Sequence, residues 1–215
     1  MSWRITPTQP IPAVIGEPFG GGYFAGYISH TANGNPTHAL IVAPRATGAT
    51  GTGYTLTTLL QWKTSSIATT GTTSAFDGAA NTAAMVTAGI ADHPAADFCK
   101  NLSIGGFTDW YLPARYELDI AYFNLKPTTG ANSTAWGVNI YSVPKRDINN
   151  TTTYPAQTAL TAFNTTAESF GTNFLWSSSE SSNANGWALD FPDGSHFLRS
   201  KVGTSSVRAF RRIAL

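Results

Sequence analysis

At 215 residues the chain is long enough to bury a substantial core without metal or disulfide staples. Only 12% of residues are Asp, Glu, Lys or Arg and the formal net charge is +1, which excludes the clustered positive charge that binds nucleic acid by releasing counterions and gives an anionic membrane nothing to attract. The single cysteine, Cys99, excludes an intramolecular disulfide framework and a cysteine-built zinc site.

The first residues, Met1-Ser2-Trp3-Arg4-Ile5-Thr6-Pro7, lack the apolar centre of a signal peptide, and the longest apolar run, Ala39-Leu40-Ile41-Val42-Ala43, is far too short to span a bilayer. Synthesis in the cytoplasm without a signal peptide, and no membrane insertion, are the expectations. Residues 1–19 carry Pro7, Pro10, Pro12 and Pro18 with few periodic apolar positions. They predict an extended Pro-rich arm, either an attachment segment or a disordered terminus, ahead of one irregular domain over residues 20–215.

Residues 23–29 and 37–43 are rich in aromatic and β-branched side chains and flank Asn33-Gly34-Asn35-Pro36, which predicts a first hairpin. A Thr- and Gly-rich stretch over 46–58 leads to Leu59-Leu60-Gln61-Trp62, a further strand candidate. From Asp77 the spacing changes. Residues 79–86 and 95–102 are Ala-rich with apolar positions three or four apart, and predict two helices separated near Asp92-His93-Pro94. Cys99 falls in the second, beside Phe98 and Leu102, as a buried residue. Pro94 sits near its start and Gly105-Gly106 beyond its end. Phe107-Thr108-Asp109-Trp110-Tyr111-Leu112-Pro113 links to a third helix over 115–125, with Leu118, Ala121, Tyr122 and Leu125 on one face. Residues 127–170 read as polar loop, with a short strand over 136–141.

The C-terminal part is the densest in strand signals. Phe174-Leu175-Trp176-Ser177-Ser178-Ser179-Glu180 precedes a segment in which Trp187, Leu189 and Phe191 alternate with Ala188 and Asp190. Pro192-Asp193-Gly194 makes a turn, residues 196–201 run back, and Val207-Arg208-Ala209-Phe210-Arg211-Arg212 closes the sheet. The plan is α+β, with helices packed on small antiparallel sheets and long loops. Trp176, Trp187, Leu189, Phe191, Val207 and Phe210 are assigned to the core, in preference to rings that stack on sugar. Asn183, Asn185, Asp190, Asp193, Ser195, His196 and Arg199 then occupy the opposite face and the connecting loops, and form the candidate reading surface for a glycan or protein.

No Gly-rich phosphate loop, His-Glu-x-x-His or Gly-x-Ser-x-Gly pattern is present. His30, His38, His93 and His196 are scattered, which argues against a metal site. Ser177, Ser178 and Ser179 beside Glu180 read as strand residues paired with backbone or water, since nothing marks a base for a nucleophile. Pro192-Asp193-Gly194 reads as a turn rather than a calcium loop. Arg208, Arg211 and Arg212 read as structural ion pairs or a solvated strand end.

Through Asn81-Thr82-Ala83-Ala84, Asp109-Trp110-Tyr111-Leu112-Pro113, Glu117-Leu118, Trp176-Ser177-Ser178-Ser179-Glu180, residues 188–194 and Val207-Arg208-Ala209-Phe210-Arg211, in that order, the chain resembles the family named for the C-terminal domain of the Lcl collagen-like adhesin. With the strands near Gly21-Gly22 and Ala39-Leu40, the resemblance extends over about residues 20–213. It implies a C-type-lectin-like fold, akin to receptor-binding domains of phage tail tips and, more distantly, to formylglycine-generating enzymes. Those enzymes need reactive cysteines, so their activity is not carried over to a chain with Cys99 alone. Ala114 stands where the family commonly has Ser or Thr, and lacks the hydroxyl that would cap the following helix.

The expectation is a non-enzymatic receptor-binding or adhesin module without cofactor, from a phage or prophage tail and hence the virion. It would bind a host cell-surface glycan or protein, dock on other tail or fibre proteins through residues 1–19, and form a homotrimer by analogy with three-fold tail fibres. The alternatives are a glycan-acting hydrolase, for which Glu180 with Asp190 or Asp193 is the only plausible carboxylate pair, and a ligand-free structural domain.

Overall fold

The computed structural model describes residues 10–164, 167–171 and 173–215. Strand β1 (Pro18–Phe19) turns through Gly20-Gly21 into β2 (Gly22–Ile28), and β3 (His38–Val42) returns beside it. A single-turn helix α1 (Arg45–Gly48) and the short strands β4 (Ala49–Thr50) and β5 (Leu60–Gln61) precede the helices α2 (Gly78–Gly89), α3 (Pro94–Lys100) and α4 (Arg115–Leu125). A long segment then carries only β6 (Ser142–Val143) and α5 (Thr161–Asn164). The chain ends in β7 (Phe174–Glu180), β8 (Asn185–Asp190), β9 (His196–Ser200), β10 (Thr204–Ser205), β11 (Val207–Arg208) and β12 (Phe210–Ala214). Among the described residues the strands make four antiparallel sheets: β1-β2-β3-β12 with β6 also on β2, β5-β10, β4-β11, and β7-β8-β9. The α+β plan read from the sequence is the plan of the structure.

The run Ala39-Leu40-Ile41-Val42-Ala43 is fully buried. Leu40 and Val42 join one apolar cluster, while Ala39, Ile41 and Ala43 join a second on the other face. A strand covered on both faces has no polar side to alternate with, which is why this run is unbroken. The same division splits β7, where Leu175 belongs to the first cluster and Trp176 to the second. Both sheets are therefore partitions between two cores.

The helices follow the predicted spacing. Asp77 caps α2 by accepting the Ala80 N–H at 2.8 Å, Pro94 opens α3, and Cys99 is buried there, so that desolvation pushes its thiol pKa up. Leu118, Ala121, Tyr122 and Leu125 of α4 are buried as one face. The hydroxyl missing at Ala114 is replaced from elsewhere in the chain: Ser179 Oγ, on β7, accepts the Arg115 N–H at 3.0 Å, and Glu117 Oε2 accepts the Ala114 N–H at 2.7 Å. Ser177 and Ser178 are likewise buried, with Ser177 Oγ donating to the Trp187 carbonyl at 2.9 Å and Ser178 Oγ accepting from Asn81 Nδ2 at 3.1 Å. The arginine group is structural: Arg208 pairs with Glu168, Arg211 with Asp109 and Arg212 with Asp77.

Two expectations are corrected. Trp187 is half-buried rather than core, because the groups that cover its ring are a guanidinium and another half-buried indole rather than aliphatic side chains. No strand forms over 136–141; the pairing falls instead at β6, on β2. Asn139 explains the shift, since its Oδ1 accepts the Tyr141 N–H at 3.1 Å, a side-chain turn that competes with the extended ladder. Of the expected arm, residues 1–9 lie outside the described residues. Farther along, Ile11 and Ile15 pack against the cores, Gly16 N–H donates to the Phe24 carbonyl at 2.7 Å, and β1 pairs with β2.

Candidate functional site

The three-stranded sheet is ordered β7-β8-β9, so β9 is an edge, with Trp187 opposite Leu198 and Ala188 opposite Phe197. Side chains alternate across a strand, so Trp187, Leu198 and His196 share one face, and Phe197, Arg199 and Asp190 share the other with Phe174. Phe197 and Leu198 are 43% and 52% exposed. An outer strand that presents apolar side chains on both faces is an unfinished surface by the rules that keep sheet edges soluble.

On the first face the N-terminus of α4 supplies a cation. The Arg115 guanidinium lies 4.1 Å from the Trp187 ring centroid, 5.1 Å from Trp136 and 5.2 Å from Tyr116. Its Nε donates to His196 Nδ1 at 2.8 Å, which leaves the imidazole proton on Nε2, toward Asp119 Oδ1 at 3.6 Å. Burial, with Arg115 and Arg146 beside it, holds the His196 pKa below its usual value despite Asp119. Asp119 is fully enclosed; burial pushes its carboxyl up, but His196, Arg146 and Asn139 outweigh this and hold it down. The Trp136 ring stands 4.8 Å from His196 and nearly perpendicular to Trp187 at 6.3 Å. The result is a fixed aromatic platform with a guanidinium at its centre.

On the second face Arg199 lies 4.5 Å over the Phe174 ring, which also meets Phe197 edge-on at 5.1 Å. Burial and the neighbouring Asp193 charge raise the Asp190 carboxyl to about 6, against the pull of Arg199. The turn beyond Asp190 is held by Asp193, whose carboxylate accepts the Ser195 N–H at 2.8 Å and the Ser195 hydroxyl at 2.9 Å. Gly194 is required there: its φ is +76°, and a Cβ would strike the Tyr122 ring.

Of the residues proposed from the sequence, Asp190, Asp193 and Ser195 come together at this turn, with Arg199 on the face that carries Asp190. Ser195 is nevertheless buried and occupied within the turn. His196 is buried against Arg115 and Asp119 rather than facing outward. Asn183 is exposed and Asn185 half-buried at the opposite end of β8, which at ordinary strand rise lies about 17 Å from Asp190. Arg115, Tyr116 and Trp136 were not found by sequence reasoning. One signal was available, because a cation in the first turn of a helix opposes the macrodipole and must be stabilised by something else.

Glu180 and Asp190, one of the two carboxylate pairs open to a hydrolase, do not come together. Glu180 is buried in an ion pair with Lys201, accepts the Thr69 N–H at 3.0 Å and the Thr72 hydroxyl at 2.7 Å, and stands opposite Gly186. Asp190 lies four residues along β8, about 14 Å away, beyond the ~5–10 Å of glycosidase pairs. Among the described residues no three His, Cys, Asp or Glu side chains are grouped to hold a metal ion, and no helix is long and apolar enough to cross a membrane.

The family model of the Lcl C-terminal domain matches residues 51–211, well over half of the chain. Comparison with curated proteins found no match. The matched segment contains α2 to α4, Trp136, the whole β7-β8-β9 sheet and the paired arginines up to Arg211. By this match the chain belongs to the Lcl C-terminal domain family.

Proposed function

We propose that this is a non-enzymatic recognition module with a C-type-lectin-like fold, which binds a host cell-surface glycan or protein through β8, β9 and the side chains around them. The family membership supports an adhesin-like role. The observation that carries the reading is the exposed edge strand β9, with Phe197 and Leu198 open to solvent between two preformed aromatic–cation clusters, Arg115 on Trp187 and Arg199 on Phe174. Rigid rings lose little entropy on binding, guanidinium groups give directed donors, and an edge strand offers its own backbone to a partner. In this reading the module belongs to a phage or prophage tail, residues 1–19 attach it to neighbouring tail or fibre proteins, and the assembled form is a homotrimer.

The test is binding of the labelled chain to intact bacterial cells, with and without their surface polysaccharide and surface protein. Saturable binding that is lost in Arg199→Ala and Leu198→Asp supports the reading. Binding unchanged by either variant, or release of reducing sugar from the cells, overturns it.

A further inference from the structure

The two edges of the β7-β8-β9 sheet are finished differently. On β7 the N–H groups of Trp176, Ser178 and Glu180 point away from β8 and donate to the carbonyls of Ser206, Pro113 and Thr72 at 3.0, 2.8 and 2.7 Å. Separate parts of the chain thus fill that edge at every second residue. The β9 edge has the same period and no such cover. Asp190 N–H donates to the Ser195 carbonyl at 2.8 Å and Lys201 N–H to the Ala184 carbonyl at 2.9 Å, so in the unbroken register between them the ladder bonds fall on Phe197 and Arg199. The N–H and C=O of Leu198 and the N–H of Ser200 therefore turn away from β8, and they meet no partner among the described residues.

The usual protections of an outer strand are missing from β9. It carries no proline and no lysine, and its pairing with β8 runs without the bulge that interrupts β7 and β8. Phe197 and Leu198 are open to solvent, one on each face. Backbone groups that recur at every second residue, about 6.8 Å apart, are matched by another extended backbone and not by a sugar ring. Arg199 adds a charge preference. Its half-buried guanidinium lies 4.5 Å over the Phe174 ring but has no ion-pair or hydrogen-bond partner among the described residues, which favours a carboxylate on that face of an incoming strand.

We infer that the receptor of this surface is a protein, and that an extended peptide segment of it adds to β9 as a further strand. Its backbone bonds the N–H and C=O of Leu198 and the N–H of Ser200, and an acidic side chain meets Arg199. The inference rests on the β8–β9 reading and narrows its partner to a peptide.

Hexapeptides selected from a random displayed library on the immobilised full chain, then synthesised and measured by fluorescence anisotropy, test this. They should be rich in β-branched residues, carry Asp or Glu, and bind with a Kd of about 10–100 µM. N-methylation of the selected peptide is the decisive step. Methyl groups on the alternate residues that face β9 should weaken binding about tenfold or more, and those on the intervening residues should leave it unchanged. Leu198→Pro removes an outward N–H while the bonds to β8 belong to its neighbours, and should weaken binding about tenfold; Leu198→Ala, which keeps the N–H, should weaken it less. Failure to select any peptide, equal sensitivity to methylation at every residue, or a dimer of the chain in light scattering that Leu198→Pro dissolves overturns the inference. Attachment to cells that is lost in Arg199→Ala but withstands removal of surface protein also overturns it, and leaves the β8–β9 reading standing. Attachment that neither Arg199→Ala nor Leu198→Asp reduces overturns both.

Discussion

Arg115 Nε donates to His196 Nδ1 at 2.8 Å, joining the first residue of α4 to the first residue of β9 across 81 positions of sequence. The bond fixes the imidazole tautomer and holds the guanidinium against Trp187 at 4.1 Å. Arg115→Ala removes the cation–π contact and leaves a buried ring nitrogen unpaired, so it should destabilise the protein by about 1–3 kcal/mol. Urea unfolding checks the loss, and a red shift of tryptophan emission in the folded state should accompany it as Trp187 becomes wetter. Arg115→Lys should recover only part, because an ammonium cannot span the ring and the imidazole with one planar group.

The pairing of Ser179 with Arg115 predicts that a serine on a strand acts as a helix cap. Ser179→Ala removes the acceptor of the Arg115 N–H and the donor to the Ser74 carbonyl, and should cost about 1–2 kcal/mol. Ser181→Ala, an exposed serine just beyond the end of the same strand, should be close to neutral in the same unfolding measurement.

Glu180 and Lys201 form a buried pair, with Lys201 4.6 Å from the Trp62 ring. Lys201→Met strands the carboxylate and should cost about 3–5 kcal/mol. The double change Lys201→Met with Glu180→Gln removes both charges and should restore about half of that loss. Equal losses in the single and double variants would contradict the pairing as the source of the cost.

Stability should fall on mild acidification. Burial holds all four histidines, His30, His38, His93 and His196, below their ordinary pKa, with His30 at about 4. Unfolded histidines take up protons as pH drops through about 6.5, whereas the folded ones do not until lower pH. The unfolded state therefore binds more protons in this window, and stability decreases as pH falls from 6.5 toward 4. Glu117 and Asp190 oppose this, since burial raises their carboxyls to about 7 and about 6, and their contributions grow as pH falls through that range. Two carboxyls do not offset four imidazoles. Urea midpoints at pH 7 and pH 5 should show the net loss, and His93→Gln should reduce it.

Much of the fold was legible. The first hairpin rests on Asn33-Gly34-Asn35-Pro36, helix α3 on Pro94, and the β8–β9 turn on Pro192-Asp193-Gly194, all local signals. The face of Trp187 was not legible, because β7 and β8 divide two cores and neither side of the sheet is simply outside. Trp187 shares its face with buried Leu189, yet it is half-buried, with Arg115 and Trp136 against its ring. His196 was misjudged for a related reason: a polar residue placed opposite Leu189 faces inward, and its inward partners Arg115 and Asp119 lie 81 and 77 positions away. The irregular backbone over 136–141 depends on Asn139, whose Nδ2 reaches Asp119 at 2.7 Å and whose Oδ1 holds Tyr141. No periodicity in the chain encodes that choice.

In the proposed function the surface around β9 binds the receptor. The most direct measurement is equilibrium binding of Trp187→Ala, Arg199→Ala and Leu198→Asp to receptor-bearing cells, beside Ile67→Ser as an exposed change elsewhere, with each variant shown to be folded by its unfolding curve. Affinity losses of about tenfold or more in the three β8–β9 variants, with Ile67→Ser unchanged, are the predicted result. Wild-type affinity in all three folded variants would place receptor binding away from β9.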